Sequence, residues 1–200
     1  MKKCVILQQF KWIMTTASII ISIVFILCLT SSVVTRSVGL VKADDKPSQK
    51  IWIPVIFGLS QGVMALLGFS LGRLMAHLYT YIAEYMVFAM MLVVAVKLFV
   101  DSIQALKGKM LYTINNERDI ILLSILAAVN TFLMSLMGVY FMPFNWGFII
   151  AVTIGGFLWS FFTVRTEFTP AMIKKVSFIE FSAAVFMVVI AILYLFTDLI

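Results

Sequence analysis

Residues 84–101, EYMVFAMMLVVAVKLFVD, and residues 180–198, EFSAAVFMVVIAILYLFTD, are two apolar runs with acidic ends and nearly the same closing words. Glu84-Tyr85 opens the first, which closes on Leu98-Phe99-Val100-Asp101; Glu180-Phe181 opens the second, which closes on Leu195-Phe196-Thr197-Asp198. Leu98, Phe99 and Asp101 map onto Leu195, Phe196 and Asp198 at a constant offset of 97 residues, which also relates Gly58 to Gly155. Such a pair points to a duplicated unit, and a duplicated membrane unit with an interface at the midplane is how many secondary transporters build a substrate site.

Working outward, the solvent is set by composition. With 63% hydrophobic and 12% charged residues and a mean hydropathy of +1.11, the chain lies far from a soluble globular protein. A helix crosses the roughly 30 Å hydrocarbon layer in about twenty residues. Six such runs can be placed: within Trp12 to Val41, Ile51 to Gly72, about Leu78 to Val100, Ile120 to Met142, Trp146 to Val164, and Val176 to Leu199. Lipid offers no partner to open backbone groups, and the runs lack barrel-strand alternation, so all six read as helices. The expected fold is an all-α membrane protein, a single integral membrane domain over 1–200. Its six transmembrane helices form two inverted three-helix repeats, at about 12–103 and 119–199, separated by the polar stretch Asn115-Asn116-Glu117-Arg118-Asp119.

The first run has the outline of a signal peptide, with Met1-Lys2-Lys3 before it and Val41-Lys42-Ala43 after it. Its apolar region is far longer than the roughly 7–15 residues of a signal core, so a retained helix is expected. Lysine and arginine favour cytoplasmic connections. Arg36, Lys42, Lys46 and Lys50, then Lys107, Lys109 and Arg118, then Arg165, Lys174 and Lys175 all fall on one side. That places both termini outside, against the pull of Lys2, Lys3 and Lys11. The net charge of +6 then needs a phospholipid surface and no nucleic acid, and an inner (plasma) membrane location is expected.

Gly58 and Gly62, then Gly68 and Gly72, form small-xxx-small pairs on the second run, with Ala65 between them on nearly the same face. They serve either helix packing, which needs small residues because lipid gives no hydrophobic drive, or a close-packed gate beside a polar path. Gln61 adds weight to the gate, since an amide near the middle of a span is costly without a partner.

Phe57-Gly58-Leu59-Ser60-Gln61-Gly62-Val63-Met64-Ala65-Leu66-Leu67-Gly68-Phe69 resembles the second-helix signature of the manganese efflux pump (MntP) family, within the wider lysine-exporter superfamily. The three-plus-three plan and the chain length are similar too, whereas Ala65 stands where that family usually has proline. The resemblance implies export of manganese as substrate, with no resident cofactor. It also implies an aspartate in the first and fourth spans. With Gly39 and Gly138 as anchors, those positions fall on Ser32 and on Leu133 or Met134. Manganese suits carboxylate, carbonyl and water ligands, so the change removes the obvious charge compensation.

The neutral polar residues inside the spans are the transport-path candidates: Ser32, Ser60, Gln61, Asn130, Thr131 and Ser135, beside Ser31. Their other use is hydrogen bonding between helices, at roughly 1 kcal/mol each. Lys97 precedes Asp101 by four residues, which allows an i,i+4 contact; snorkelling toward the interface is the favoured reading. Glu84 and Asp101, about 25 Å apart along one helix, read as marks of opposite interfaces, as do Glu180 and Asp198. His77, Cys4 and Cys28 lack metal or disulfide spacing, and nothing resembles a phosphate loop or nucleophile motif, so an enzyme is not expected. Two functions remain: a divergent transporter, or a non-transporting scaffold whose apolar faces recruit other membrane-protein subunits.

Overall fold

The computed structural model describes residues 22–37, 49–76, 83–107, 117–141, 146–165 and 169–197. The described elements are α1 (residues 22–30), α2 (Ser32–Ser37), α3 (Gln49–Ala76), α4 (Ala83–Leu106), α5 (Glu117–Phe141), α6 (Trp146–Val164) and α7 (Pro170–Thr197). Among the described residues there is no strand. Five of these helices, α3 to α7, are long and apolar enough to cross a membrane, and Ser22–Ser37 is a shorter apolar helix. Residues 1–21, Lys42, Lys46, His77 and Asp198 lie outside the described residues.

Helix α3 lies between α5 and α6, while α4 pairs with α7 and touches α5; α2 reaches α4, α5, α6 and α7. The glycines explain the central position of α3. A Cβ on Gly58 would stand 3.0 Å from Phe157 Cβ and from the Thr153 carbonyl of α6, and Gly62 faces the Thr153 hydroxyl. Gly68 instead faces α5, where a Cβ would meet the Phe132 carbonyl at 2.6 Å and Ser135 Cβ at 2.7 Å; Gly72 faces the Leu136 carbonyl. The two pairs therefore serve two partners rather than one common face. The six-residue step from Gly62 to Gly68 is not a whole number of turns and rotates the second pair by about 120°.

The opposite side of α3 carries Leu59, Val63, Leu67 and Leu71, all exposed and spaced at every fourth residue, as a lipid-facing stripe requires. Inward, Phe69 meets Phe148 edge-on at 5.7 Å between ring centroids; on the outer surface Phe99 of α4 contacts Phe181 of α7 at 5.7 Å. One core cluster joins Phe25, Leu29, Phe69, Leu98, Met134 and Met187; a second joins Val33, Phe57, Ile120, Leu123 and Val164.

The first apolar segment is broken at Ser31. Ser31 N–H donates to the Cys28 carbonyl at 3.2 Å and Val34 N–H to the Ser31 carbonyl at 2.8 Å, both i,i+3 bonds. In an unbroken helix Ser31 N–H would go to Leu27. The Leu27 carbonyl is taken instead by Trp159 Nε1–H of α6, at 3.2 Å. Irregular backbone is tolerable at membrane depth when protein covers it, and all residues of α2 are buried.

Two helix limits differ from the sequence reading. Helix α4 runs past Asp101 to Leu106, and α7 begins ten residues before Glu180. Asp101 and Glu180 are thus interior residues, where their reading as interface marks gives way to pairing with buried partners. Because neither α5 backbone nor its carbonyls can yield cheaply, Gly68→Ala should destabilise the purified protein by about 1–3 kcal/mol through overpacking. Gly155→Ala, where a Cβ meets the movable Thr30 hydroxyl at 3.1 Å, should cost less; equal thermal shifts for the two in detergent would contradict this packing.

Candidate functional site

The interior polar groups arise from simple helix registers. Lys97 and Asp101 stand four residues apart on α4 and share a face; Ser177 and Glu180 stand three apart on α7 and do the same. Ser102 meets Ser177 while Phe99 meets Phe181, so α4 and α7 run antiparallel, bringing the end of one against the start of the other. The two serines exchange bonds, each hydroxyl donating to the other residue's carbonyl at 2.9 Å, with their oxygens 2.9 Å apart.

Around this junction four charges collect. Arg36 Nη2 of α2 lies 3.7 Å from Asp101 Oδ2, and Lys97 Nζ lies 3.7 Å from the same oxygen. Lys97 Nζ also donates to Asn130 Oδ1 of α5 at 2.7 Å. Glu180 is wholly buried and accepts a bond from the Thr35 hydroxyl of α2 at Oε1. Asp101 is 6% and Arg36 7% exposed. With both carboxyls ionised the four formal charges cancel, which is how a low-dielectric interior admits ions whose separate desolvation would cost several kcal/mol each. Lys97 is therefore held by the i,i+4 contact rather than by snorkelling alone, its side chain 26% exposed. Arg36, counted from the sequence with the connections, belongs to the interior because α2 folds back onto α4, α5 and α7.

The sequence-expected residues form a second seam. The Thr131 hydroxyl donates to Gln61 Oε1, joining α5 to α3. The Ser60 hydroxyl bonds the Phe57 carbonyl at 2.9 Å and the Ser124 carbonyl at 3.2 Å. Ser32 Oγ donates to the Ala127 carbonyl at 2.7 Å, tying α2 to α5. Ser135 is buried beneath the Gly68 contact with no hydrogen-bond partner for its hydroxyl. Asn130 and Thr131 are neighbours about 100° apart on α5, so one faces the charges and the other faces Gln61. The structure thus joins Gln61 with Thr131 and Asn130 with Lys97, while Ser32, Ser60 and Ser135 line separate parts of the α5 surface. Ser32 and Met134, at positions where the resemblance implies acids, are both buried, Met134 in the first core cluster.

Buried polar atoms are normally satisfied. Here Gln61 Nε2, Asn130 Nδ2, Ser135 Oγ, Ser160 Oγ, Arg36 Nε and Glu180 Oε2 have no hydrogen-bond partner, and Asp101 Oδ2 has only its two ion pairs. Among the described residues no three His, Cys, Asp or Glu side chains gather as a metal cage. The sequence reading missed Thr35, Arg36, Asp101, Ser102, Ser177 and Glu180 as one site. Their available signals were the Lys97/Asp101 and Ser177/Glu180 registers, and neither register reveals its partner helix.

Removing Asp101 leaves two buried cations without their common counter-ion. Asp101→Ala should cost about 3–5 kcal/mol, and a loss below 1 kcal/mol in chemical unfolding would show that the pairs do not hold α2 to α4. Ser102→Ala and Ser177→Ala should couple by about 0.6 kcal/mol in a double-mutant cycle; strict additivity would remove the bond as a link between α4 and α7.

The Mntp family model, described as Putative manganese efflux pump, matches residues 44–183, from the connection before α3 to just beyond Glu180 in α7. No curated protein and no solved structure matches the chain. The family match covers well over half of the sequence and includes the helices that carry Gln61, Lys97, Asp101, Asn130, Thr131 and Glu180, so the chain is a multi-pass membrane protein belonging to the MntP family of manganese efflux pumps.

Proposed function

We propose that this chain exports manganese, a hard divalent cation, across the plasma (inner) membrane as a six-span transporter of two inverted halves. The observation that carries the reading is the family match over α3 to α7, the same helices that hold the buried polar groups. The inverted plan is supported by the packing of α3 on α6 and of α4 on α7, corresponding helices of the two halves. It is also supported by the break at Ser31, because discontinuous helices build the sites of many repeat transporters.

The polar groups that serve export lie on α5 and its neighbours, at the Gln61–Thr131 contact and at the charged junction. Amide and hydroxyl oxygens there suit a hard cation. Asp101 and Glu180 are the buried carboxyl groups available in place of acids at Ser32 and at Leu133 or Met134. The chain acts by moving an ion rather than by covalent chemistry.

Cells lacking the chain should accumulate manganese several-fold over the parent and grow poorly at high manganese. Gln61→Ala, expressed at the parental level, should reproduce both effects. Unchanged manganese content and tolerance in the deletion strain would refute export.

A further inference from the structure

The charged junction combines two features that ordinary structural ion pairs lack. Its two acidic side chains each keep an oxygen without a hydrogen bond, Asp101 Oδ2 and Glu180 Oε2, although both residues are buried. Neither cation hydrogen-bonds that Asp101 oxygen: Arg36 and Lys97 stand 3.7 Å from Asp101 Oδ2, beyond hydrogen-bond range. A junction built only for stability would close these gaps with bidentate bonds.

Lys97 also has a way out, and Arg36 is joined to Asp101 by no hydrogen bond. Lys97 carries a compact charge on a flexible stem, and its side chain is already 26% exposed. Arg36 sits on the six-residue α2, joined to α1 through the break at Ser31. When Lys97 withdraws it also releases Asn130 Oδ1, its 2.7 Å acceptor. The oxygens then free are two carboxylates and one amide, the donor set that hard divalent cations prefer.

With both carboxylates ionised the junction is neutral, so a dication entering it unexchanged leaves two uncompensated charges in a low-dielectric interior. Two side-chain cations leaving as one dication arrives keeps the sum at zero. We propose that Asp101, Glu180 and Asn130 form the divalent-cation site of this transporter, and that Lys97 and Arg36 are its resident counter-cations, displaced when the metal binds. The proposal rests on the export reading and deepens it by naming the site and the exchange.

The test titrates Mn²⁺ into the full chain in nanodiscs, following the six-line electron paramagnetic resonance signal of free Mn²⁺, and measures Mn²⁺ flux by the wild type in proteoliposomes. Removing a competitor should tighten binding, so Lys97→Gln should lower the dissociation constant at least tenfold. Glu180→Gln, which keeps shape and the Thr35 bond but loses the charge, should raise it at least tenfold. In the wild type, Mn²⁺ should speed modification of the Lys97 amine by an acylating reagent several-fold, a readout independent of variant folding. Wild-type flux with unaltered affinity in both variants, or with Lys97 reactivity unmoved by Mn²⁺, overturns the exchange site and leaves export standing. Weaker binding in Lys97→Gln overturns it as well, since Lys97 would then support the site rather than compete for it. Absence of both flux and binding in the wild type overturns the site together with the export reading.

Discussion

Asp101 holds the interior together through one carboxylate oxygen shared by two cations. Arg36 brings α2 to it, Lys97 comes from its own helix, and Asn130 draws α5 in by accepting from Lys97. Glu180 completes the balance from α7 through Thr35 of α2. Four elements therefore meet because two positive and two negative charges, each too costly to bury singly, become tolerable together. The Ser102–Ser177 exchange sets the antiparallel register that puts Asp101 and Glu180 at the same end of the α4–α7 pair.

Close packing sets the distances within which those charges can meet. Gly58 and Gly62 let α6 approach α3, and Gly68 and Gly72 let α5 approach from another side. In lipid, where apolar side chains gain nothing by leaving their surroundings, such contact and hydrogen bonding are what draw helices together. The same central helix carries Gln61 to Thr131, so packing and the polar seam share one scaffold. At the edge of that scaffold the break at Ser31 is covered rather than solvated: Trp159 takes the Leu27 carbonyl that the interrupted helix releases.

Much of this was legible in the residues. Runs of apolar residues marked the spans of α3, α5 and α6 closely, because a helix that meets lipid must be apolar over a known length. Gln61 and Thr131 stood out as polar groups within such runs, and the structure brings them together. The Gly pairs showed close approach but not that they address different helices. The ends of α4 and α7 were harder to see, since Asp101 and Glu180 look like interface residues until their partners are known. Arg36 was misplaced for the same reason: positive charge beside an apolar run resembles a connection.

The residues alone are enough to put the chain in a membrane, to make its elements helices, and to say which of them carry small or polar residues at depth. Those are local properties, written in hydropathy, spacing and residue size. Only the tertiary structure decided that Arg36, Lys97, Asp101 and Glu180 form one neutral junction and that α1 and α2 are separated at Ser31. The physical reason is that a charge becomes admissible in the interior through partners far away in the chain. Arg36 and Asp101, or Thr35 and Glu180, acquire their meaning only when separate helices pack.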